Sequence, residues 1–266
     1  MSDLRSMFSS PLVAPSILAL LAASSPGLAA GSDWSASVGA GVVNFPKYAG
    51  SSRSRTMPLG FLSFRYGRFF IGGVPGAGTP AGLGAYLFED SHWQVGVGLD
   101  SDVAKPRRER DDRQHLHGLG DVEATIRGGA FASYTLNWFA LRGGVFYDIE
   151  DSSHHEGVTA SLEAVGTYKP SKRLTLTAGP GVSFGNKRYT QTLFGVNAAQ
   201  AQKSGYAQYM PQGGVNLINL SVGAQYEVTS RWSVGAQASL GRLQGDAARS
   251  PIVRSKDVDV YAVFVA

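Results

Sequence analysis

The chain has 266 residues, no cysteine, 34 glycines and a formal net charge of +4. Lacking thiols, it has neither a disulfide scaffold nor a thiolate metal centre, and so small a positive excess gives no argument for nucleic-acid binding. Low charge and abundant glycine suit tightly curved strands with small inward side chains.

Residues 1–30 read as a cleaved export signal. Asp3 and Arg5 precede an apolar run from Leu12 to Ala23, interrupted at Pro15, and small residues lead to a cut after Ala29 or Ala30. That run is shorter than the roughly 20 residues a spanning helix needs. Nothing later in the chain is a candidate spanning helix, so any membrane crossing must use strands. Residues 31–266 then form one all-β domain.

Alternation of apolar and polar residues predicts twelve strands, at 34–44, 56–66, 68–74, 81–88, 92–101, 121–135, 137–150, 157–169, 173–185, 212–228, 231–242 and 256–265. The cleanest runs from Trp232 to Arg242: Trp232, Val234, Ala236, Ala238 and Leu240 share one face, and Ser233, Gly235, Gln237 and Ser239 the other. Such long dyad-repeat strands suit a transmembrane antiparallel up-and-down β-barrel better than a soluble sandwich. Every second connection is short, and most of the others are longer and polar. This is the rim asymmetry of outer-membrane barrels, whose short turns are periplasmic. The third connection, near Pro75 to Pro80, fits loosely and leaves a ten-stranded count open. Trp34, Tyr66, Phe69, Phe88, Trp93, Tyr134, Trp138, Tyr168, Tyr226, Trp232 and Phe264 all fall at the predicted periplasmic end, as an interfacial aromatic girdle would.

In this register Asp100, Glu123, Arg127, Arg142, Glu163 and Glu227 face the lumen, where charges either line water or pair. The run from Lys105 to His117 is rich in arginine. It is read as a solvated loop, because Glu109, Asp111 and Asp112 blunt its field; the alternative is a grip on lipopolysaccharide phosphate. His115, His117, His154 and His155, with Asp148, Glu150, Asp151 and Glu156, carry metal-ligating chemistry. Neither cluster falls on a regular element that would fix ligands, so no catalytic, metal or cofactor site is expected. The glycine-rich stretches Gly72–Gly82 and Gly179–Lys187 lack the Gly-Lys-Ser/Thr ending of a phosphate loop, with no following helix expected, and are read as strand segments and connections.

The ninth connection, Asn186 to Pro211, is long enough to be functional. Residues 196–204 favour a short helix that Gly205 ends. Phe194 and Tyr206 are expected to anchor this candidate interaction loop over or into the barrel mouth, with Gln200 and Lys203 presenting polar contacts; the equal alternative is that the loop only caps the barrel.

Four stretches resemble the MipA/OmpV family in order and spacing: Phe45-Pro-Lys-Tyr-Ala-Gly-Ser-Ser52, His117-Gly-Leu-Gly-Asp-Val-Glu-Ala-Thr125, Phe194-Gly-Val-Asn-Ala-Ala-Gln-Ala-Gln-Lys-Ser-Gly205 and Leu243-Gln-Gly-Asp-Ala-Ala-Arg-Ser-Pro251. Leu193 stands where the family usually has an aromatic. The resemblance implies an outer-membrane barrel without a catalytic residue set, one relative being regarded as a scaffold between a murein-hydrolysing transglycosylase and a synthase. The expectation is therefore a monomeric, non-enzymatic envelope scaffold or surface-interaction protein in contact with outer-membrane lipid and lipopolysaccharide. A narrow small-solute pore and an outer-membrane hydrolase are the rivals.

Overall fold

The computed structural model describes residues 34–77, 81–101, 106–149 and 157–266. The predicted signal lies outside them, as do Pro80, Lys105, Glu150, Asp151, His154, His155 and Glu156. Twelve antiparallel strands close into a barrel: β1 (Trp34–Pro46), β2 (Ser54–Tyr66), β3 (Phe69–Gly72), β4 (Gly82–Glu89), β5 (Trp93–Ser101), β6 (Ile126–Leu136), β7 (Phe139–Asp148), β8 (Val158–Tyr168), β9 (Leu174–Gly185), β10 (Gly214–Glu227), β11 (Ser233–Leu243) and β12 (Val260–Val265). Each strand pairs with its sequence neighbours, and β12 returns to β1. The ten-stranded alternative is thereby set aside.

Two-residue turns join β2 to β3 and β6 to β7, at Gly67–Arg68 and Asn137–Trp138. Gly67 and Asn137 supply the positive φ, 55° and 48°, that keeps such hairpins twisted in the sense of their strands.

The outer wall is apolar. Val38, Leu62, Leu83, Val145, Leu162, Leu220 and Val263 are all exposed, as a surface solvated by hydrocarbon requires. At the short-turn end Trp34, Tyr66, Phe69, Phe88, Trp93, Trp138, Tyr168, Tyr226 and Trp232 ring the barrel and are exposed. Tyr134 packs on Trp93 with ring centroids 4.8 Å apart. Phe264 does not belong to this ring. In β12 the outward positions are Tyr261, Val263 and Val265, so Phe264 turns inward, edge-on to Phe61 at 6.1 Å. The protein is thus an outer-membrane barrel with an apolar band and one clear aromatic girdle.

The predicted strand ends need two revisions. Residues 121–125 are not part of β6; Val122 makes only an isolated bridge to Arg107. Residues 256–259 likewise precede β12, with Asp257 bridging to Arg242 alone. The closing seam is accordingly brief: β12 meets β1 only from Ala40 to Asn44, whereas β1 meets β2 along its whole length.

Candidate functional site: the capped mouth and the lumen

At the long-loop end the connections fold over the opening instead of standing in solvent. Tyr48 of the first connection, Leu116 and Leu119 of the fifth, Val196 of the ninth and Ile252 of the eleventh form one buried apolar cluster. A second joins Phe194 to Leu217, Leu243, Ala247 and Val258, tying the ninth connection to the barrel rim. Four separate loops therefore share a core, and burial of their apolar side chains holds the cap together.

Polar contacts lock the cap. Arg107 is buried and donates from Nη1 to the Leu193 carbonyl at 2.9 Å. Asp111 gathers Arg55 at 3.3 Å on its carboxylate and Lys47 at 3.2 Å on its carbonyl. The buried Asp112 carboxylate meets Arg53 at 3.8 Å and His115 Nδ1 at 2.9 Å. His117 Nδ1 lies 3.0 Å from Glu109, which also accepts from the Gly118 backbone N–H. That backbone bond, with His117 adding to it, holds the Glu109 carboxyl below the usual range. Burial, and then the Asp112 charge, push the Tyr48 phenol up to about 12. Burial also brings the Arg107 guanidinium down to about 10.

These contacts correct the reading of the charge run as a solvated loop. Within it, η1 (Glu109–Asp111) and α1 (Arg113–Leu116) fold so that Arg107, Arg108 and Asp112 are buried. Neighbouring opposite charges were legible; that they would pair inward across loops was not. Among the described residues no three His, Asp or Glu side chains gather as metal ligands.

The ninth connection contains two helices, α2 (Lys187–Phe194) and α3 (Ala198–Ser204). Asn186 caps α2 by accepting from the Tyr189 N–H. Asn197 and Gln200 form a reciprocal capping box on α3, and Gly205 ends it at φ 76°. Phe194 is buried, its carbonyl accepting from Ser250 Oγ at 2.5 Å, and Tyr206 packs half-buried beside the cap cluster. Gln200 is not presented outward: its side chain is spent on the α3 cap and on the Leu119 carbonyl, 2.7 Å away. Lys203 is exposed.

The lumen charges divide. Asp100 and Arg127 are buried and paired at 2.7 Å. Arg142 stands opposite Glu163 in the β7–β8 register, both partly buried. Glu123 is a correction: with residues 121–125 outside β6, it lies exposed in the fifth connection and not in the barrel. Glu227 ends β10 on the inward register but is exposed at the short-turn rim.

One inward segment was missed. Residues 73–77 of the third connection turn into the barrel. Val74 and Ala77 pack with Phe70, Phe131 and Phe146 in a buried cluster. Gly76, at φ 73°, lies against β7 so closely that a Cβ there would come within 2.7 Å of the Gly144 backbone nitrogen. Ser161 of β8 donates to the Gly76 carbonyl at 2.7 Å. The available signal was the absence of any charged residue between Arg68 and Glu89, unusual for a loop in water. Between this plug and α2 remains a cavity of about 110 Å³, bordered by Arg127, Ser161, Asn216, Leu193 and Phe194. A bulge between Val215 and Leu217 aims Asn216 inward, where its amide donates to Thr190 Oγ1 at 3.1 Å.

The family model described as MltA-interacting protein MipA matches residues 38–266. The MltA-interacting protein of Escherichia coli (strain K12) is 26% identical over 238 residues, covering 89% of this chain and 90% of that one. The MltA-interacting protein of Shigella flexneri gives the same figures: 26% identity, 89% and 90% coverage. Among solved structures, the NanC porin aligns with TM-score 0.44 at 11% identity, over 86% of this chain and 98% of its own. The outer-membrane protein OmpT of Vibrio cholerae aligns with TM-score 0.38 at 9% identity, over 90% and 98%.

Proposed function

Since the chain belongs to the MltA-interacting protein MipA family, we propose that it is a non-enzymatic envelope scaffold that acts through contact at its rims, not through conduction or turnover. The observation that carries this reading is the double filling of the barrel. A four-loop cap covers the mouth, and the third connection is bonded across the lumen by Ser161. Side chains that a pore or a hydrolase would leave free, Arg107, Asp112 and Gln200 among them, are instead engaged in holding loops to one another.

The relatives' name points to a murein transglycosylase as the partner class, and such an enzyme works on the periplasmic side. The short turns are then the surface it meets. The ninth connection, on the opposite rim, serves the cap. Affinity capture from crosslinked envelopes tests the reading: recovery of a murein hydrolase or synthase supports it. Planar-bilayer recording separates it from the rival, since steady ion steps from the wild-type protein favour a small-solute pore and overturn the scaffold.

A further inference from the structure

The short-turn rim is electrically lopsided. The β8–β9 turn carries Lys169, Lys172 and Arg173, and the β10–β11 turn carries Arg231, all exposed. The two turns are neighbours, joined where the Glu227 N–H donates to the Arg173 carbonyl at 2.8 Å. Four cations thus crowd one arc, with Glu227 and Ala266 at its edge, and none of the four forms an ion pair among the described residues. The other three short turns together contribute Arg68 and Asp90.

The arc's height is fixed by its neighbours. Lys169 directly follows Tyr168, and Arg231 directly precedes Trp232, and both aromatics are exposed members of the girdle. Girdle rings lie at the headgroup level. Long cationic side chains one residue beyond them are within reach of lipid phosphates, because their stems lie along apolar surface while the charged ends stay in the polar layer. A cluster of juxtamembrane cations attracts anionic lipid through the same electrostatics.

We infer that this arc of Lys169, Lys172, Arg173 and Arg231 binds the phosphate headgroups of anionic phospholipid in the periplasmic leaflet. The arc fixes one side of the barrel against acidic lipid and leaves the rest of the rim to other contacts. This goes beyond the scaffold reading and does not depend on it.

The test is native mass spectrometry of the full barrel released from mixed phosphatidylglycerol and phosphatidylcholine micelles. The wild type should retain phosphatidylglycerol in preference by about fivefold or more, the factor that one cation's attraction supplies. Raised salt should reduce it. Lys169→Gln, Lys172→Gln, Arg173→Gln and Arg231→Gln together should bring the preference below about twofold, with Arg68→Gln unchanged as the control. Heat-modifiable migration verifies folding; should the fourfold variant fail it, Lys169→Gln with Lys172→Gln, whose side chains stand free in the turn, should lose roughly half of the cation effect. An unchanged preference in the folded variant overturns the proposal. So does equal displacement by inorganic phosphate at matched ionic strength, which would mark a free-anion site. Loss of an acidic periplasmic protein from envelope captures while lipid preference persists would likewise overturn it.

Discussion

Ser161 and Gly76 are 85 positions apart in sequence, yet the serine hydroxyl donates to the glycine carbonyl at 2.7 Å across the lumen. One strand of the wall thereby holds the inward third connection. A neutral hydrogen bond of this kind contributes about 1 kcal/mol, and the apolar cluster around Val74 contributes the rest of the plug's hold. Ser161→Ala should therefore leave assembly intact and raise brief openings in planar bilayers above the wild-type level. Gly144→Leu, which forces a side chain toward the Gly76 Cα, should cost about 1–3 kcal/mol by overpacking and lower the temperature of the gel-mobility transition.

Charge placed on either face of β11 should separate lipid from lumen. Ala236 lies on the outer wall between Ala224 and Val263, while Gln237 turns inward. Ala236→Arg should impair membrane assembly by about 2–4 kcal/mol near the midplane, and Gln237→Arg should be much milder. Quantitative refolding into vesicles reads the difference; equal tolerance would contradict the register.

Orientation is testable without background, because the chain has no cysteine of its own. Lys203→Cys, on the exposed side of α3, should react with an impermeant maleimide on intact cells. Ser171→Cys, in the β8–β9 turn, should react only after the envelope is opened. The reverse pattern would invert the barrel.

Tyr48 makes the cap sensitive to alkali. Its phenol is raised from 10.0 to about 12, first by burial and then by the Asp112 charge. A group raised on folding gives its full contribution below the unfolded value and loses it as pH climbs through the folded one. Protease resistance of the loops should accordingly fall between pH 10.0 and about 12. Tyr48→Phe should flatten that fall, while costing about 1 kcal/mol at neutral pH from the lost bond to the Ile252 carbonyl.

Strand count, the wall's two faces and most of the girdle were legible because a side-chain period of two is imposed by the backbone itself. Phe264 escaped because aromatics were grouped by their distance along the strand, whereas the face they take depends on register with Tyr261 and Val263. Glu123 escaped because alternation continues past the point where neighbouring strands stop pairing. In the ninth connection α3 was visible from its alanines and Gly205, but Gln200's partner, the Leu119 carbonyl, belongs to another loop. Loop-to-loop contacts leave no period in a sequence. The inward third connection was readable only through its lack of charge.

The barrel depends on a brief seam for its closure. β1 and β2 register along thirteen residue pairs, while the first and last strands share five. Until β12 arrives, the eleven earlier strands form an open sheet whose two unpaired edges cannot be left in hydrocarbon. By pairing with β11 on one side and β1 on the other, β12 removes both edges at once. Five pairs suffice for that closure, since β3 is held to its two neighbours by only three and four.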